Sequence, residues 1–418
     1  MFLRFGVENF LSIRDYTELS FLGTRLKDDD AHSTMDAGKH SKYGALPVLG
    51  LYGGNASGKS AAVRAVLALS AHVRDSFHRR ANGPVPTRPF KLDETSRGAE
   101  SGFDCDMLID GVRYHYGFRF TAAHYTEEWL HAWPNGSEQR WFHRKGPDKA
   151  TWYFGPGLRG RVRFIAEQTR PNSLFLSTAA QLDHAELMPV FGALGALIIN
   201  GEHTPLRATW YSHPSLEDDE LQGRLLDLLR VADLGVVEAK LTNERAAAET
   251  LVDDGANPYG LRLGHVGALN ATYFLEADEE SDGTTALLGR LLDVVPLLRD
   301  GGLYVVDELE QALHPHLAAQ LIALFTDPAT NPKRAQLLFT SHDMTLLESL
   351  RRDEVVLVDK SNEGVTQLAS LADFKVLKRD DIARVVREGR VGGVPRLGDL
   401  RRALRPAKRV SAGDEVDA

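Results

Sequence analysis

Residues 53–60 read Gly-Gly-Asn-Ala-Ser-Gly-Lys-Ser, a complete G-x-x-x-x-G-K-[ST]. The motif has physical meaning only between a buried strand and a helix, and both neighbours are present. LPVLGLYG (46–53) is a short, mostly apolar run running into glycines, and a helical stretch follows from about Lys59 to Phe77. In that setting glycines let backbone N–H groups wrap phosphates, and the helix offers its positive N-terminal end. Gly53, Gly54, Asn55, Ala56, Ser57, Gly58, Lys59, Ser60 and the adjoining Ala61 are therefore the expected phosphate cradle. Lys59 can reach the β- and γ-phosphates, and the Ser60 hydroxyl can ligate Mg²⁺. A chain with this feature is expected to be α/β, with a mixed sheet presenting the loop at one edge, and to bind ATP with Mg²⁺.

A second apolar run, LYVVDE (303–308), ends in two carboxylates. Asp307 can hold Mg²⁺ directly or through water, and Glu308 can orient or deprotonate an attacking water. Taken by itself the run says little, but a sheet that brings both strand ends to one edge makes it the partner of the phosphate loop. His342 follows the run QLLFTS, where an imidazole can hydrogen-bond a γ-phosphate; its bland alternative is a surface-loop histidine. Ser281 and Gly283 stand just before a predicted helix, about Thr284 to Arg299. The residues alone leave open whether they form an anion site or an ordinary N-cap and turn. His314 and His316 lack adjacent ligands, Asp28–Asp30 read as a solvated loop, and Cys105 reads as a core or strand residue.

The rest of the chain sets these motifs in order. LRFGVENF and TELSFL read as two strands, 24–45 as a mobile loop, and ANGPVPTRPF (81–90) as a boundary. FDCDMLID and VRYHYGFRF, joined by Asp110-Gly111, form a hairpin signal. Residues 160–250 are mainly helical in pattern, and LRLGHVG and ATYFLEA read as strands. A helix at about His316 to Phe325 separates LYVVDE from QLLFTSH, and EVVLVDK (354–360) is a final strand. This divides the chain into an ATPase core of 1–85 plus 265–372, an inserted hairpin and helical region at 86–264, and a basic segment at 373–418. From Phe374 to Arg409 twelve Lys/Arg face four Asp/Glu, a balance of +8 that leaves −17 on the rest of a chain totalling −9. A basic tail on an acidic body suits nucleic acid or an acidic protein, or simply a solvated helical face. No apolar run reaches the roughly 18–20 residues of a membrane span. One cysteine excludes an internal disulfide and a cysteine-based zinc cluster, and a cytoplasmic location is expected.

With these residues in view, the chain resembles the ABC-type ATPase clade that includes SMC, RecF and the OLD proteins. FGVENFLSI (5–13) resembles the clade's opening and GGNASGKS its phosphate loop. Asp307-Glu308-Leu-Glu310-Gln-Ala-Leu313-His314-Pro315-His-Leu317 is similar to its DE-x-E-x-x-LHP-x-L, and His342 matches its switch histidine. ESDGTTALL resembles a reduced signature motif, which implies that Ser281 and Gly283 contact the γ-phosphate held by a second copy, so that the active form is a homodimer. Pro89-Phe90-Lys-Leu-Asp-Glu94, Asp110-Gly-Val-Arg-Tyr-His-Tyr-Gly-Phe118 and Leu350-Arg-Arg-Asp-Glu-Val355 resemble the RloA/AbiLi-like branch, to which the PARIS defence ATPase is related. Gly389-Arg390-Val391-Gly392-Gly393-Val394-Pro395 departs from that branch, which usually carries an aromatic at the place of Val391. The resemblance implies the motor or sensor half of an anti-phage defence system that controls a separately encoded effector, since no acidic cluster after Lys360 could build a nuclease site. A RecF/SMC-like DNA repair or chromosome-maintenance ATPase is the alternative. A transporter subunit fits less well, lacking a standard LSGGQ, and a non-hydrolysing nucleotide-gated scaffold is the other non-enzymatic reading.

Overall fold

The computed structural model describes residues 1–26, 34–195, 198–200, 218–232, 235–242, 260–276, 279–374 and 382–387. Three expectations fall outside these limits: the Asp28–Asp30 loop, the 389–395 stretch and nearly all of the basic C-terminal segment.

Two large sheets organise the molecule. The first is antiparallel and seven-stranded, in the order β2 (Thr17–Ser20), β1 (Phe2–Glu8), β4 (Ser101–Ile109), β5 (Val112–Phe120), β6 (Tyr125–Trp133), β7 (Gln139–Lys145) and β8 (Tyr153–Phe154). The second is six-stranded, in the order β16 (Thr366–Ser370), β15 (Val355–Lys360), β3 (Val48–Tyr52), β14 (Gln336–Ser341), β13 (Leu303–Val306) and β9 (Ile198–Asn200). Every pairing in it is parallel except the edge pairing of β15 with β16. A small antiparallel sheet of β10 (Val236–Thr242), β11 (Gly260–Val266) and β12 (Thr272–Glu276) stands apart.

The parallel sheet is buried on both faces, which is why its strands read as unbroken apolar runs. Leu49, Leu51, Leu303, Val305, Leu338, Val356 and Val358 point into one core, shared with helix α1 (Lys59–Asp75) and the inner face of the antiparallel sheet. Their alternates Val48, Tyr52, Tyr304, Val306, Leu337, Phe339, Val355 and Leu357 point into a second core. After α2 (Glu94–Gly98), the helices α3 (Val162–Gln168), α4 (Phe175–Gln181) and α5 (Met188–Gly195) pack into the first core. The helices α6 (Asp219–Val231), α7 (Asp282–Asp300) and α8 (Pro315–Thr326) build the second, joined by α9 (Ile382–Arg387).

The antiparallel sheet has the complementary pattern of one apolar and one polar face. Phe103, Cys105 and Met107 of β4 face the core, and burial pushes the Cys105 thiol well up from its ordinary value. Between them Asp104 and Asp106 take Arg4 on the other face: Arg4 Nη2 lies 3.0 Å from Asp104 Oδ1 and Nε 2.9 Å from Asp106 Oδ2. Further along the sheet an ion pair goes inward. Glu128 and Arg144 are both fully buried; the Glu128 carboxylate accepts from Tyr116 Oη and from the first N–H groups of α4, Phe175 and Leu176, at 3.0, 2.7 and 3.0 Å.

Several expectations meet corrections here. The 101–154 strands form no sheet of their own: β4 pairs along β1, so strand pairing runs across the expected boundary at 81–90. The described part of the 24–45 loop is anchored, with Met35, Ala37 and Ala45 buried around Leu3 and a bridge between Met35 and Ala45. Strands β6, β7, β8, β9, β10 and β16 were not anticipated. The Asp110-Gly111 hairpin is present, both residues at positive φ (48° and 77°), as a two-residue turn with the twist of antiparallel strands requires.

Candidate nucleotide site

Strands β3, β14 and β13 lie side by side in parallel register, so their C-terminal ends emerge together. The loop of residues 53–58 leaves β3 and enters α1. Its geometry is imposed by close neighbours: Gly58 has φ +114°, and a Cβ there would sit 2.0 Å from Thr366 Oγ1. Ala56 also lies in the left-handed region, at φ 62°, a conformation non-glycine residues hold only under constraint. Strand β16 supplies much of that constraint. Thr366 Oγ1 donates to Ser57 O at 3.3 Å and lies 2.7 Å from Ser12 Oγ, and Thr366 N donates to Ser12 O at 2.7 Å.

Lys59 is buried and its Nζ donates back to Gly53 O and Gly54 O at 2.9 and 3.2 Å, while lying 3.5 Å from His342 Nδ1. Burial lowers its pKa from the ordinary lysine value, against the opposing pull of Asp307, Glu308 and Glu310. Asp307 accepts from Thr340 Oγ1 at 2.6 Å, and the same hydroxyl accepts from Glu308 N at 2.8 Å. Thr340 thus fixes both carboxylate residues at the end of β13. Glu308 takes φ 56°, turning the chain sharply where the strand stops. Its neighbour Glu310 reaches across to accept from His342 N at 2.6 Å, leaving Oε2 buried and without a partner.

These groups enclose a cleft of about 860 Å³ lined by Asn55–Ala61, Arg64, Asp307, Glu308 and His342. Of the sequence-predicted residues, Lys59, Ser60, Asp307, Glu308 and His342 are therefore brought together. Gly53 and Gly54 act through their carbonyls, behind the cleft. Ser281 and Gly283 do not line it. Ser281 caps α7, accepting from Thr284 N at 3.1 Å, and Gly283 faces the carbonyl of Ala312. Their helix is tied to the segment after Glu308 by Arg290, whose Nη2 donates to Gln311 O at 2.9 Å.

Sequence reasoning missed the opposite wall: Leu11, Ser12, Thr87–Leu92, Lys360 and Gly364. One residue holds much of that wall. Asn9 is buried at φ 52°; its Oδ1 accepts from Phe90 N at 3.0 Å, and its Nδ2 donates to Ser96 O at 2.8 Å. Leu11 N adds a bond to Arg88 O at 2.7 Å. The signals for this wall are FGVENF and PFKLDE, whose meeting across some eighty residues no local spacing reveals.

Ser60 and Asp307 offer a hydroxyl and a carboxylate to the same cleft. They are the hard oxygen donors that suit Mg²⁺, so the residues present fit the ion.

A phosphate loop, an apolar parallel strand ending in Asp-Glu and a histidine after the neighbouring strand, gathered at one sheet edge, define a P-loop NTPase fold. The chain belongs to the family described as "AAA domain, putative AbiEii toxin, Type IV TA system", which it matches over residues 48–177 and 205–348. Among solved structures it is similar to the SMC head domain from Thermotoga maritima, at 12% identity and TM-score 0.41, over 88% of this chain and 98% of that one. It is also similar to an SMC head bound to the C-terminal winged-helix domain of ScpA, at 13% identity and TM-score 0.42, covering 88% and 97%. A third is an SMC head with an extended coiled coil bound to the C-terminal domain of ScpA, derived from Pyrococcus furiosus, at 12% and 0.42, covering 89% and 97%. No curated protein matches the chain. Among the described residues no helix is long and apolar enough to cross a membrane.

Proposed function

We propose that the chain binds MgATP in this cleft, hydrolyses it between two copies of itself, and uses the cycle to control a separate effector. The observation that carries this reading is the convergence of Lys59, Asp307, Glu308 and His342, from three adjacent strand ends, on one cleft. Lys59 is held by Gly53 and Gly54 carbonyls that it exchanges for phosphate oxygens. Ser60 and Asp307 would hold Mg²⁺, which would neutralise phosphate charge when bound. Glu308 orients or deprotonates the water, and His342, steadied through Glu310, supports the γ-phosphate. Ser281 and Gly283 serve the second copy's nucleotide, and Arg290 links their helix to the catalytic turn.

The family description, naming a putative AbiEii toxin of a type IV toxin–antitoxin system, supports a place in a defence or toxin locus. The basic run 374–409 supports the second reading, a DNA-maintenance ATPase. DNA-stimulated turnover lost on neutralising Arg401, Arg402 and Arg405 would favour it.

The test is light scattering of Glu308→Gln with and without MgATP, beside phosphate release by the wild type. An ATP-dependent doubling of mass, with turnover about 10²–10⁴-fold below wild type, is the expected outcome. Normal turnover in Glu308→Gln removes its assigned role. Unchanged mass, with hydrolysis intact in Ser281→Ala, removes the composite site.

A further inference from the structure

The far end of the antiparallel sheet carries a second built cavity, which shares no lining residue with the nucleotide cleft. The connection from β8 to α3, Gly155-Pro-Gly-Leu-Arg-Gly-Arg161, crosses a groove. On one side lies a cleft of about 760 Å³ bordered by Arg140, Trp141 and Tyr153; on the other lies one of about 470 Å³ bordered by Arg161, Phe164 and His184. Arg159 and Glu186 border both, so the two are halves of one groove with the 155–161 strap across its middle.

Beneath the strap, three polar atoms lack partners. Trp141 Nε1 and both ring nitrogens of His184 are buried without a hydrogen bond, and each residue is 7% exposed. Glycines of the strap cover them: a Cβ at Gly157 would lie 3.0 Å from Trp141 Nε1, and one at Gly160, whose φ is +99°, would lie 3.1 Å from His184 Nε2. Buried donors and acceptors left unpaired are costly, and such costs collect where a ligand supplies the missing partners. The rim carries three arginines and two exposed rings beside the carboxylates of Glu138, Asp183 and Glu186. Arg140, Arg159 and Arg161 have no ion-pair partner among the described residues, while Glu186 is engaged by Arg159 N at 2.7 Å and Glu138 by His131 at 2.5 Å. Tyr153 is 45% and Phe164 48% exposed, and the Arg140 guanidinium lies 5.8 Å from the Tyr153 ring.

We propose that this groove binds a nucleotide unit, its phosphate on the arginines and its base against Tyr153 or Phe164, with the strap opening so that Trp141 and His184 meet the ligand. Free guanidiniums match phosphate oxygens, and exposed rings beside them match a planar base; an acidic peptide would use only the first. A free mononucleotide and a nucleic-acid 5′ end share this chemistry. The site also has a route to the ATPase. His184 O accepts from Leu187 N and Met188 N, both at 3.0 Å, which fixes the start of α5, and α5 packs on α1, the helix that begins at Lys59. The proposal does not require ATP hydrolysis.

Its test therefore uses the full chain carrying Lys59→Ala, which disables the phosphate loop. Binding of UMP and of 5′-phosphorylated hexathymidylate is measured by titration calorimetry in that background, with and without Arg159→Ala/Arg161→Ala. Binding that persists in Lys59→Ala and weakens about tenfold or more when both arginines are removed is the expected result. Comparable affinity for both probes identifies a free nucleotide, and binding of the oligonucleotide alone identifies a nucleic-acid end. Absence of both at about 1 mM, or binding indifferent to the arginine pair, overturns the proposal. Because both arginines are exposed, a fold defect in that variant is excluded by its melting temperature. His184→Phe supplies a second check, with the probe lost while the fold is kept.

Discussion

The two large sheets handle charge in opposite ways. The parallel sheet keeps charge out of β3, β13 and β14 and places Asp307, Glu308 and His342 just beyond the ends of β13 and β14. The antiparallel sheet carries charge in mid-strand: Arg4, Asp104 and Asp106 on its outer face and the Glu128–Arg144 pair within. Charges at strand ends meet a cleft and can act on a ligand. Mid-strand charges meet one another and spend most of their hydrogen bonds in holding the sheet and α4 together. The lesson is that a buried charge indicates function by where its strand stops as much as by how deeply it lies.

Substitutions should separate the two roles. The largest effect is expected at Glu128→Ala, which strands a fully buried Arg144 and removes the acceptor at the start of α4. Denaturant unfolding should show a loss of about 3–5 kcal/mol. A variant of unchanged stability but impaired nucleotide binding would break the comparison. A second effect, spread over several pH units and therefore smaller at any one pH step, follows pH through His72, on the face of α1 toward the antiparallel sheet. Burial, with Arg79 nearby, lowers its pKa to about 3, and its Nδ1 lies 2.8 Å from Tyr125 Oη. The unfolded chain therefore binds the proton more readily. This contribution is complete above pH of about 6.5 and declines toward pH 3, by on the order of 1 kcal/mol per pH unit. His72→Phe should flatten that part of the stability profile. The smallest stability change is expected at Thr340→Val, which removes one hydroxyl from the end of β14. Unfolding should shift by about 1 kcal/mol, whereas turnover should fall by about tenfold or more as Asp307 and Glu308 lose their common anchor. Equal loss of stability and turnover would place Thr340 with the structural charges.

The same contrast explains how much was legible in the sequence. The parallel strands were readable because burial on two faces leaves unbroken apolar runs, and the phosphate loop and Asp-Glu pair were readable because their chemistry is local. Strands β6 and β7 were not. Glu128 and Arg144 occupy inward positions where alternation calls for apolar residues, so the ion pair that secures the sheet also erases its period-two signal. Met35, Ala37 and Ala45 are too sparse to form a pattern, yet they anchor the segment before β3. At the site, Thr340, Glu310 and Asn9 act through partners distant in sequence, so no spacing rule reveals them. Ser281 is a different case: its N-cap contacts are on view, while its proposed partner is in another molecule.

The wall behind the phosphate loop has a consequence for biosynthesis. Ser57 and Thr366 are separated by 309 positions, yet Thr366 braces the loop and its side chain sits where a Cβ on residue 58 would go. At translation rates of about 5–20 residues per second, the loop waits roughly 15–60 s for that strand to be made. A nascent or prematurely terminated chain therefore carries the phosphate-binding motif without its bracing strand. The braced shape of the loop is thus a property of a chain that extends as far as β16, and not of the motif alone.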